Sequence, residues 1–147
     1  MDYLADTNIL LHGLKQTDPM CRAIRTSVRA LRNNGHRLCI FPQNLIEFWC
    51  VSTRPPERNG LGLTLRLTNH YMTAAESLFE LLPEPPAIYR EWRRLVVANS
   101  VAGLQVFDTR LVAAMTLHSI THVLTLNGKH FKRYGGITPI HPDDVEH

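Results

Sequence analysis

Three acidic residues follow or enter helices that come after apolar runs, although they lie far apart in the chain. Asp6 follows the run Tyr3–Ala5, Glu47 lies one turn into a helix that follows a second apolar run, and Asp108 follows a short apolar pair. If these places gather at one edge of a sheet, the three carboxylates repel one another unless a cation lies among them. Mg²⁺ and Mn²⁺ are hard cations that accept carboxylate oxygens. A metal held in this way can bind a phosphate, activate water and stabilise a leaving oxygen.

Each acid by itself also has an ordinary structural explanation. Asp6 and Asp108 suit helix N-termini, where Asp is a favoured cap and the helix dipole favours an anion. Glu47 falls at the edge of its helix's apolar stripe, where a surface residue would also fit. The metal hypothesis therefore depends on all three acids arriving at matching places in the fold.

Short apolar runs alternate with amphipathic helices along the chain. Strands are predicted at Tyr3–Ala5, Leu38–Phe41, His122–Leu126 and Ile137–Ile140. Helices are predicted directly after Asp6, from Asp18 to about Asn33, from Pro42 to a stop at Arg54, from about Leu65 to Leu82, from near Ala87 to about Asn99, and over Thr109–Met115. This alternation indicates an α/β fold with a parallel sheet covered on both faces. No repeat or linker divides residues 1–147, so one domain is predicted, with a polar, frayed tail at Pro142–His147.

The helix after Pro42 and the three cysteines carry specific packing predictions. That helix is expected to face the core with an apolar stripe. The predicted stripe consists of Leu45, Ile46, Trp49, Cys50 and Thr53. Cys21, Cys39 and Cys50 are odd in number, lack CxxC spacing and lie in apolar stretches, which predicts buried thiols and neither disulfides nor a zinc site.

The composition is that of an ordinary globular protein, with 44% hydrophobic and 20% charged residues and a net charge of +3. Thirteen of the 16 basic residues are arginine, which gives only a weak indication of nucleic-acid binding. The N-terminus has no basic region of a secretory signal, and the longest run without Asp, Glu, Lys, Arg or His, Leu95–Phe107, is too short to span a bilayer. A cytoplasmic protein with no membrane partner is therefore predicted.

Basic residues offer two further candidates for function. Arg22, Arg25, Arg29 and Arg32 repeat at helical spacing. A solvated helix face is preferred over a phosphate-binding track for this stripe, because charged helix faces are common. The eight histidines form no HxH or HExxH motif, and His130 is expected to be a surface or turn residue.

Four stretches make the sequence resemble the PIN-domain ribonucleases, especially the VapC-like toxins of bacterial toxin–antitoxin pairs. They are LADTNIL at Leu4–Leu10, PQNLIEF at Pro42–Phe48, FDTRLVA at Phe107–Ala113 and VLTLNGKHF at Val123–Phe131. Each stretch is short, but their order and spacing extend over nearly the whole chain. The resemblance implies a three-layer α/β/α sandwich with a short, mainly parallel central sheet.

The resemblance also assigns the metal-binding acids of the family to Asp6, Glu47 and Asp108. The family's fourth acidic position, which is Asp in many members, falls on Asn127 here. Asn127 is kept in the catalytic set because an amide oxygen can touch a metal or its water. The site would carry a formal charge of −3 and not −4 if all acids ionise, so weaker binding of a second metal is expected.

Four polar residues are expected to support this site from behind the metal ligands. Thr125 corresponds to the family's Thr or Ser two residues before the fourth acid, and could hydrogen-bond a ligand or metal-bound water. Thr7, Asn8 and Asn44 are weaker candidates, since each also suits a helix cap or a turn.

The implied activity is Mg²⁺- or Mn²⁺-dependent cleavage of single-stranded RNA. Asp6 and Asp108 would hold the ion, and Glu47 would ligate it or orient the attacking water. Nearby arginines, such as Arg110 or those of the Arg22–Arg32 helix, would hold flanking phosphates. The resemblance further implies a homodimer and a small antitoxin partner, with operator DNA contacted only through the antitoxin.

Two other functions stay open at this point. Because Asn127 is uncharged, the protein could be a catalytically weak or inactive module that holds RNA or a protein. A DNA nuclease ranks last, because the chain lacks the long insertions of flap-cutting enzymes.

Overall fold

Five parallel strands alternate with six α-helices in the computed structural model, which describes all 147 residues. The strands are β1 (Asp2–Ala5), β2 (Arg37–Ile40), β3 (Glu80–Leu81), β4 (His122–Leu124) and β5 (Thr138–Ile140). The helices are α1 (Thr7–Gly13), α2 (Cys21–Asn33), α3 (Pro42–Thr53), α4 (Leu65–Leu78), α5 (Ile88–Ala98) and α6 (Gln105–Leu117). Short 3₁₀ turns lie at Pro56–Arg58, Gly128–His130 and Pro142–Asp144.

The sheet has the strand order β3-β2-β1-β4-β5, with β1 at its centre. Leu4 of β1 pairs with Cys39 on one side and with Val123 on the other. The chain therefore builds outward from β1 in one direction and later crosses over to build outward in the other. In such a sheet the connections leave the carboxyl end of the central strand on opposite sides, which opens a crevice where ligands bind.

Alternating side chains of the strands fill two separate cores. Tyr3, Ala5 and their neighbours on β2 and β4 pack against α1 to α4, whereas Leu4, Cys39 and Val123 pack against α5 and α6. Both faces of the sheet are thus apolar, which is why the strands read as continuous apolar runs in the sequence. The predicted three-layer α/β/α fold is confirmed.

The two helices that open at the carboxyl edge of the sheet are started by local polar contacts. Asp6 is the N-cap of α1, and its Oδ1 accepts a hydrogen bond from the backbone N–H of Thr7 at 2.8 Å. Helix α3 begins at Pro42, whose fixed φ suits a first helical position. The side-chain oxygen of Asn44 accepts a hydrogen bond from the backbone N–H of Phe41 at 2.8 Å, which ties the strand end to this helix.

The predicted core face of α3 is wrong in part. Leu45 and Phe48 are buried as the core side, while Ile46 is 68% exposed. Cys50 is also exposed, so only Cys21 and Cys39 are buried thiols; all three cysteines are free. The first half of α3 carries apolar residues on several sides, so helical periodicity alone did not select the side that packs on α1 and α4.

Helix α4 and the β3 strand differ from the prediction. The helix ends at Leu78, and the chain then forms the two-residue strand β3 beside Cys39 and Ile40 of β2. Leu78 is itself 41% exposed. So short a strand has no periodicity of its own and exists because β2 offers it a free edge.

Three other boundaries moved. Helix α6 begins at Gln105 and not at Thr109, so Val106 and Phe107 lie in its first turn, and β4 ends at Leu124 and not at Leu126. The tail is not frayed throughout, because Val145 is 6% exposed and belongs to the core that α2 lines. No helix combines the length and the apolar character needed to cross a membrane.

Candidate metal centre

Asp6, Glu47 and Asp108 lie at the carboxyl edge of the sheet. Asp6 follows β1, Glu47 is in α3, which follows β2, and Asp108 lies in the first turn of α6. Helix α6 leads into β4, so its N-terminus points back to the edge where β1 and β2 end. The elements therefore deliver the three acids to the same side of the molecule.

Asp6 is buried, and each of its two carboxylate oxygens accepts a hydrogen bond from a neutral donor. Its Oδ1 accepts from the backbone N–H of Thr7 at 2.8 Å, and its Oδ2 accepts from the hydroxyl of Thr125 at 2.7 Å. The Thr125 oxygen in turn accepts from the backbone N–H of Asn127 at 3.0 Å and lies 3.4 Å from the amide nitrogen of Asn8. Because Thr125 is fully buried, this contact fixes the direction of the Asp6 carboxylate.

Glu47 is joined to Asp6 through Thr7. The hydroxyl of Thr7 donates to Oε2 of Glu47 at 2.8 Å, while the backbone N–H of the same residue donates to Asp6. The hydroxyl oxygen accepts from the amide of Asn44 at 3.2 Å. Asn44 is fully buried, so Thr7 is held between the two acids by a group that cannot move away easily.

Asp108 is half-buried and is connected to the other two acids less directly. The backbone carbonyl of its neighbour Phe107 accepts a hydrogen bond from Nε2 of Gln43 at 2.8 Å, and the same nitrogen donates to Oε1 of Glu47 at 2.7 Å. On the other side, Nδ1 of His130 lies 3.3 Å from Oδ2 of Asp108. Thus His130 is a neighbour of the site and not merely a turn residue, which the sequence analysis missed.

Gln43 was also missed, although a signal for it existed. It lies four residues before Glu47 on the same helix, a spacing that places two side chains next to each other. No comparable signal marks His130, because its approach to Asp108 depends on how the turn after β4 folds onto α6.

All three carboxyl groups have raised pKa values. The pKa of Asp6 is raised to about 6, chiefly by burial and also by the charges of Asp108 and Glu47, although the bonds from Thr125 and Thr7 act to lower it. Burial also raises the pKa of Glu47 and of Asp108. Neither Asp6 nor Glu47 forms an ion pair, and Asp108 has only the histidine. The site therefore holds mutually repelling acids with no lysine or arginine paired to them.

Solved structures with the same arrangement of elements cover nearly the whole chain. VapBC2 from Rickettsia felis, bound to a DNA fragment from its promoter, is 14% identical with a TM-score of 0.74, over 96% of this chain and 98% of that one. DNA-bound VapBC from Salmonella typhimurium is 20% identical with a TM-score of 0.67, over 97% and 98%. VapC20 from Mycobacterium tuberculosis, described as a sarcin–ricin loop cleaving toxin, is 12% identical with a TM-score of 0.62, over 88% and 93%.

The chain has the PIN-domain fold of the VapC toxins. No protein-family model matches the sequence, and no curated protein matches it. At identities of 12–20% the likeness establishes the PIN fold and does not by itself establish an activity.

Asn127, at the fourth acidic position of the PIN resemblance, enters the site only through its backbone. Its N–H donates to Thr125, but its side chain is exposed and forms no hydrogen bond. The side chain therefore forms no hydrogen bond to any of the three acids.

Of the arginines expected near phosphates, Arg110 and Arg25 have other partners in this PIN fold. Both terminal nitrogens of Arg110 donate to the Glu84 carboxylate, at 2.8 and 2.7 Å. Arg25 donates to the backbone carbonyls of Gly13 and Leu14 at the end of α1. Arg22 and Arg29 are exposed and have no ion-pair partner.

The donor set of this PIN fold suits a hard divalent cation in its chemistry. Three carboxylates with raised pKa values lie at the same edge of the sheet, and oxygen is the ligand atom that Mg²⁺ and Mn²⁺ prefer. As the side chains stand, no three His, Cys, Asp or Glu residues are close enough to hold a metal ion. Binding an ion would therefore require the carboxylates to turn toward it.

Proposed function

We propose that this protein is a divalent-metal-dependent endoribonuclease, formed by residues 1–147 as one PIN domain. The observation that carries the proposal is the placement of Asp6, Glu47 and Asp108 at the same carboxyl edge of the sheet, all with raised pKa values and none paired with a lysine or arginine. Perturbed carboxyls of this kind, outside structural ion pairs, are typical of functional sites.

In this proposal Asp6 and Asp108 hold Mg²⁺ or Mn²⁺, and Glu47 ligates the ion or orients the attacking water. When bound, the metal supplies a Lewis acid for the backbone phosphate and lowers the pKa of a water molecule. The chain's own contribution is orientation: Thr125 and Thr7 hold the Asp6 carboxylate, and Thr7 also holds that of Glu47. Asn8, Asn44 and the backbone of Asn127 keep these threonines in place.

Single-stranded RNA is the proposed substrate. This choice is supported by the resemblance to PIN-domain ribonucleases and by the neighbour VapC20, which is described as cleaving the sarcin–ricin loop. The net charge of +3 favours association with a polyanion, although only weakly.

The proposed biological role is that of a toxin in a toxin–antitoxin pair. The neighbours from Rickettsia felis and Salmonella typhimurium are VapBC assemblies bound to DNA, which supports a small antitoxin partner for this chain and contact with operator DNA through that partner. The same resemblance supports a homodimer and a cytoplasmic location, where an RNA substrate would be present.

The test is cleavage of a labelled single-stranded RNA by purified protein. We expect cutting with Mg²⁺ or Mn²⁺ that is abolished by a chelator and by Asp6→Asn. Asp2→Asn, at the opposite end of β1, is the matched control and should cut normally. An Asp6→Asn protein that folds and cuts RNA as fast as the wild type would rule the proposal out.

A catalytically weak or inactive binding module is the second candidate. It is favoured by the uncharged, exposed Asn127 and by the absence of three side chains at ligand distances. RNA binding without cleavage, together with no stabilisation by Mn²⁺, would select this module.

A further inference from the structure

The buried amide of Gln43 connects the proposed metal ligand Glu47 to an ion pair outside the site. Its Nε2 donates to Oε1 of Glu47 at 2.7 Å and to the carbonyl of Phe107 at 2.8 Å. Its Oε1 accepts from Nη1 of Arg110 at 2.8 Å. Gln43 is only 6% exposed. Its NH₂ group donates to two protein acceptors and its oxygen accepts from one protein donor, so the buried amide is satisfied within the protein.

Arg110 is itself held from the other side by Glu84. The two carboxylate oxygens of Glu84 receive Nη1 and Nη2 of Arg110 at 2.8 and 2.7 Å, a bidentate pair that fixes the plane of the guanidinium. The pair lowers the pKa of Glu84, so this carboxylate stays charged. Glu84 lies between Pro83 and Pro85, whose fixed φ angles restrict its backbone.

The orientation of the Gln43 amide decides whether it supports Glu47 or repels it. An amide turned by half a rotation would place its oxygen against the Glu47 oxygen and its NH₂ group against the Arg110 guanidinium. Arg110 has no acceptor atom, so it can only face the amide oxygen. The contact with Arg110 therefore selects the orientation in which NH₂ points to Glu47.

We propose that Gln43 is a positioning residue for the Glu47 carboxylate, and that Arg110, fixed by Glu84, locks the Gln43 amide in its working orientation. The proposal rests on the proposed function, since it is as a metal ligand that Glu47 needs a fixed direction. It replaces the expectation that Arg110 holds a substrate phosphate, because the charge of Arg110 is already matched by Glu84.

The first experiment tests whether Arg110 fixes the orientation of the Gln43 amide, and it needs neither metal nor substrate. The side-chain ¹⁵NH₂ signals of Gln43 are followed by NMR in metal-free wild type, in Arg110→Met and in the milder Arg110→Lys. We expect these signals to shift and to lose protection from hydrogen exchange in Arg110→Met, with an intermediate effect in Arg110→Lys. Arg94→Met, which breaks the exposed Arg94–Glu91 pair on α5, is the matched control and should leave them unchanged. Unchanged Gln43 signals in both folded Arg110 variants would overturn the proposal.

The second experiment measures the consequence at the metal site by titrating Mn²⁺ calorimetrically. Gln43→Met is expected to weaken Mn²⁺ binding about 10-fold, within the range seen when a group behind a ligand is removed. Arg110→Met should weaken it less, and the double variant should equal Gln43→Met because Arg110 acts only through Gln43. Additive losses, or a raised KM for RNA with unchanged Mn²⁺ affinity in Arg110→Met, would overturn the role of Arg110.

The two proposals fail in different ways. If the wild-type protein neither binds Mn²⁺ nor cuts RNA, the nuclease proposal fails, whatever the NMR signals show. If the wild type binds and cuts but the Gln43 and Arg110 variants behave like Arg94→Met, only the positioning proposal fails.

Discussion

The central strand β1 has an aspartate at each end, and the structure treats the two in opposite ways. Asp2, at the amino end, accepts from Arg37, which also pairs with Glu80 at 2.8 Å, and the Arg37 bond lowers the pKa of Asp2. Asp6, just past the carboxyl end, is surrounded by neutral donors and other acids, and burial raises its pKa to about 6. At the amino edge Arg37 pairs with both acids, whereas at the carboxyl edge no lysine or arginine pairs with the three acids and only His130 lies within ion-pair distance of one of them.

The difference shows that acidic residues at a sheet edge are not a site merely by being there. At the amino edge, each carboxylate has an arginine within ion-pair distance, and both acids are partly exposed. At the carboxyl edge, Asp6 is 7% exposed and has no cationic partner at all. Acids that lie at one edge without a lysine or arginine partner reduce the stability of the fold, which is the pattern expected where an external cation completes the site.

Removing the charge of an acid at the carboxyl edge should have the largest effect of the predicted changes, and this effect should be a loss of catalytic activity. Asp108→Asn and Glu47→Gln are each expected to lower RNA cleavage by about 1,000-fold, roughly 4 kcal/mol of barrier, because each removes a charge from the metal site. Thermal unfolding should show no loss of stability, since like charges no longer repel. Glu80→Gln, at the amino edge, should cut at the wild-type rate. If Glu80→Gln were as defective as Asp108→Asn, the contrast between the edges would be lost.

The next effect is stabilisation by metal. At Mn²⁺ concentrations 100 times the dissociation constant, the folded protein should gain about 2.7 kcal/mol, or roughly 5–10 °C in Tm. Calorimetric melting in Mn²⁺ and in chelator measures this gain. We expect it to survive in Asp2→Asn and to vanish in Asp6→Asn, and the reverse result would place the ion at the wrong end of β1.

The pH dependence of stability should differ in sign between the two ends of β1. The raised pKa of Asp6 gives stability that is fully present below its usual pKa of 3.8 and is lost as pH rises through about 6. In chelator, this residue alone should cost about 1–1.5 kcal/mol between pH 5 and 7.5. Urea unfolding at the two pH values should show a smaller drop in Asp6→Asn than in wild type.

Asp2 provides the opposite dependence. Its lowered pKa gives stability that is present above the usual value and is lost as pH falls through its folded pKa. Asp2→Asn should therefore lower the urea midpoint by the same amount at pH 5 and at pH 7.5, so that the slope over this interval is unchanged, and its difference from wild type should shrink in acid. An Asp6→Asn protein with the wild-type slope over that interval would show that Asp6 is not the group that titrates there.

Sequence reasoning predicted the fold well where burial left a continuous pattern. The strands β1, β2 and β4 are apolar on both faces, so they appear as apolar runs, and the acid after β1 is visible as a helix cap. Strand β3 could not be found, because two exposed residues have no period and pair only by lying next to β2. The burial of Val145 was not predicted for a similar reason, because it results from packing in the core that α2 lines, whereas its neighbours in the sequence are polar.

The candidate site divides in the same way. The three acids and the polar residues Thr7, Asn8, Asn44 and Thr125 follow from short stretches at strand ends and helix starts. Hydrogen bonds join all of them except Asp108, which is connected only through the backbone of Phe107. His130 and the Arg110–Glu84 pair could not be predicted, because these contacts form between segments distant in the chain. Asp108 was predicted to lie just before its helix as a cap, but α6 already begins at Gln105, so Asp108 lies within the first turn of the helix.

The smallest effect should come from restoring the fourth acid with Asn127→Asp. The side chain of Asn127 is exposed and unbonded, so an added charge would be screened by water and would act on the ion from the rim of the crevice. We expect Mn²⁺ affinity to rise about threefold to fivefold, less than about 1 kcal/mol, with a matching gain in cleavage at limiting metal. Calorimetry and initial rates measure both quantities.

Asn34→Asp is the matched control for this gain, because Asn34 is also exposed but lies at the end of α2, before β2 begins at the amino edge. If the gain depends on position, only Asn127→Asp should show it. Equal gains in the two variants would mean that net charge alone draws the cation to the protein, and the carboxyl edge would then hold no advantage over the amino edge. A loss of affinity in Asn127→Asp would instead indicate that a fourth carboxylate competes with Asp108 for the same space, which would place the ion closer to the turn after β4 than the three acids imply.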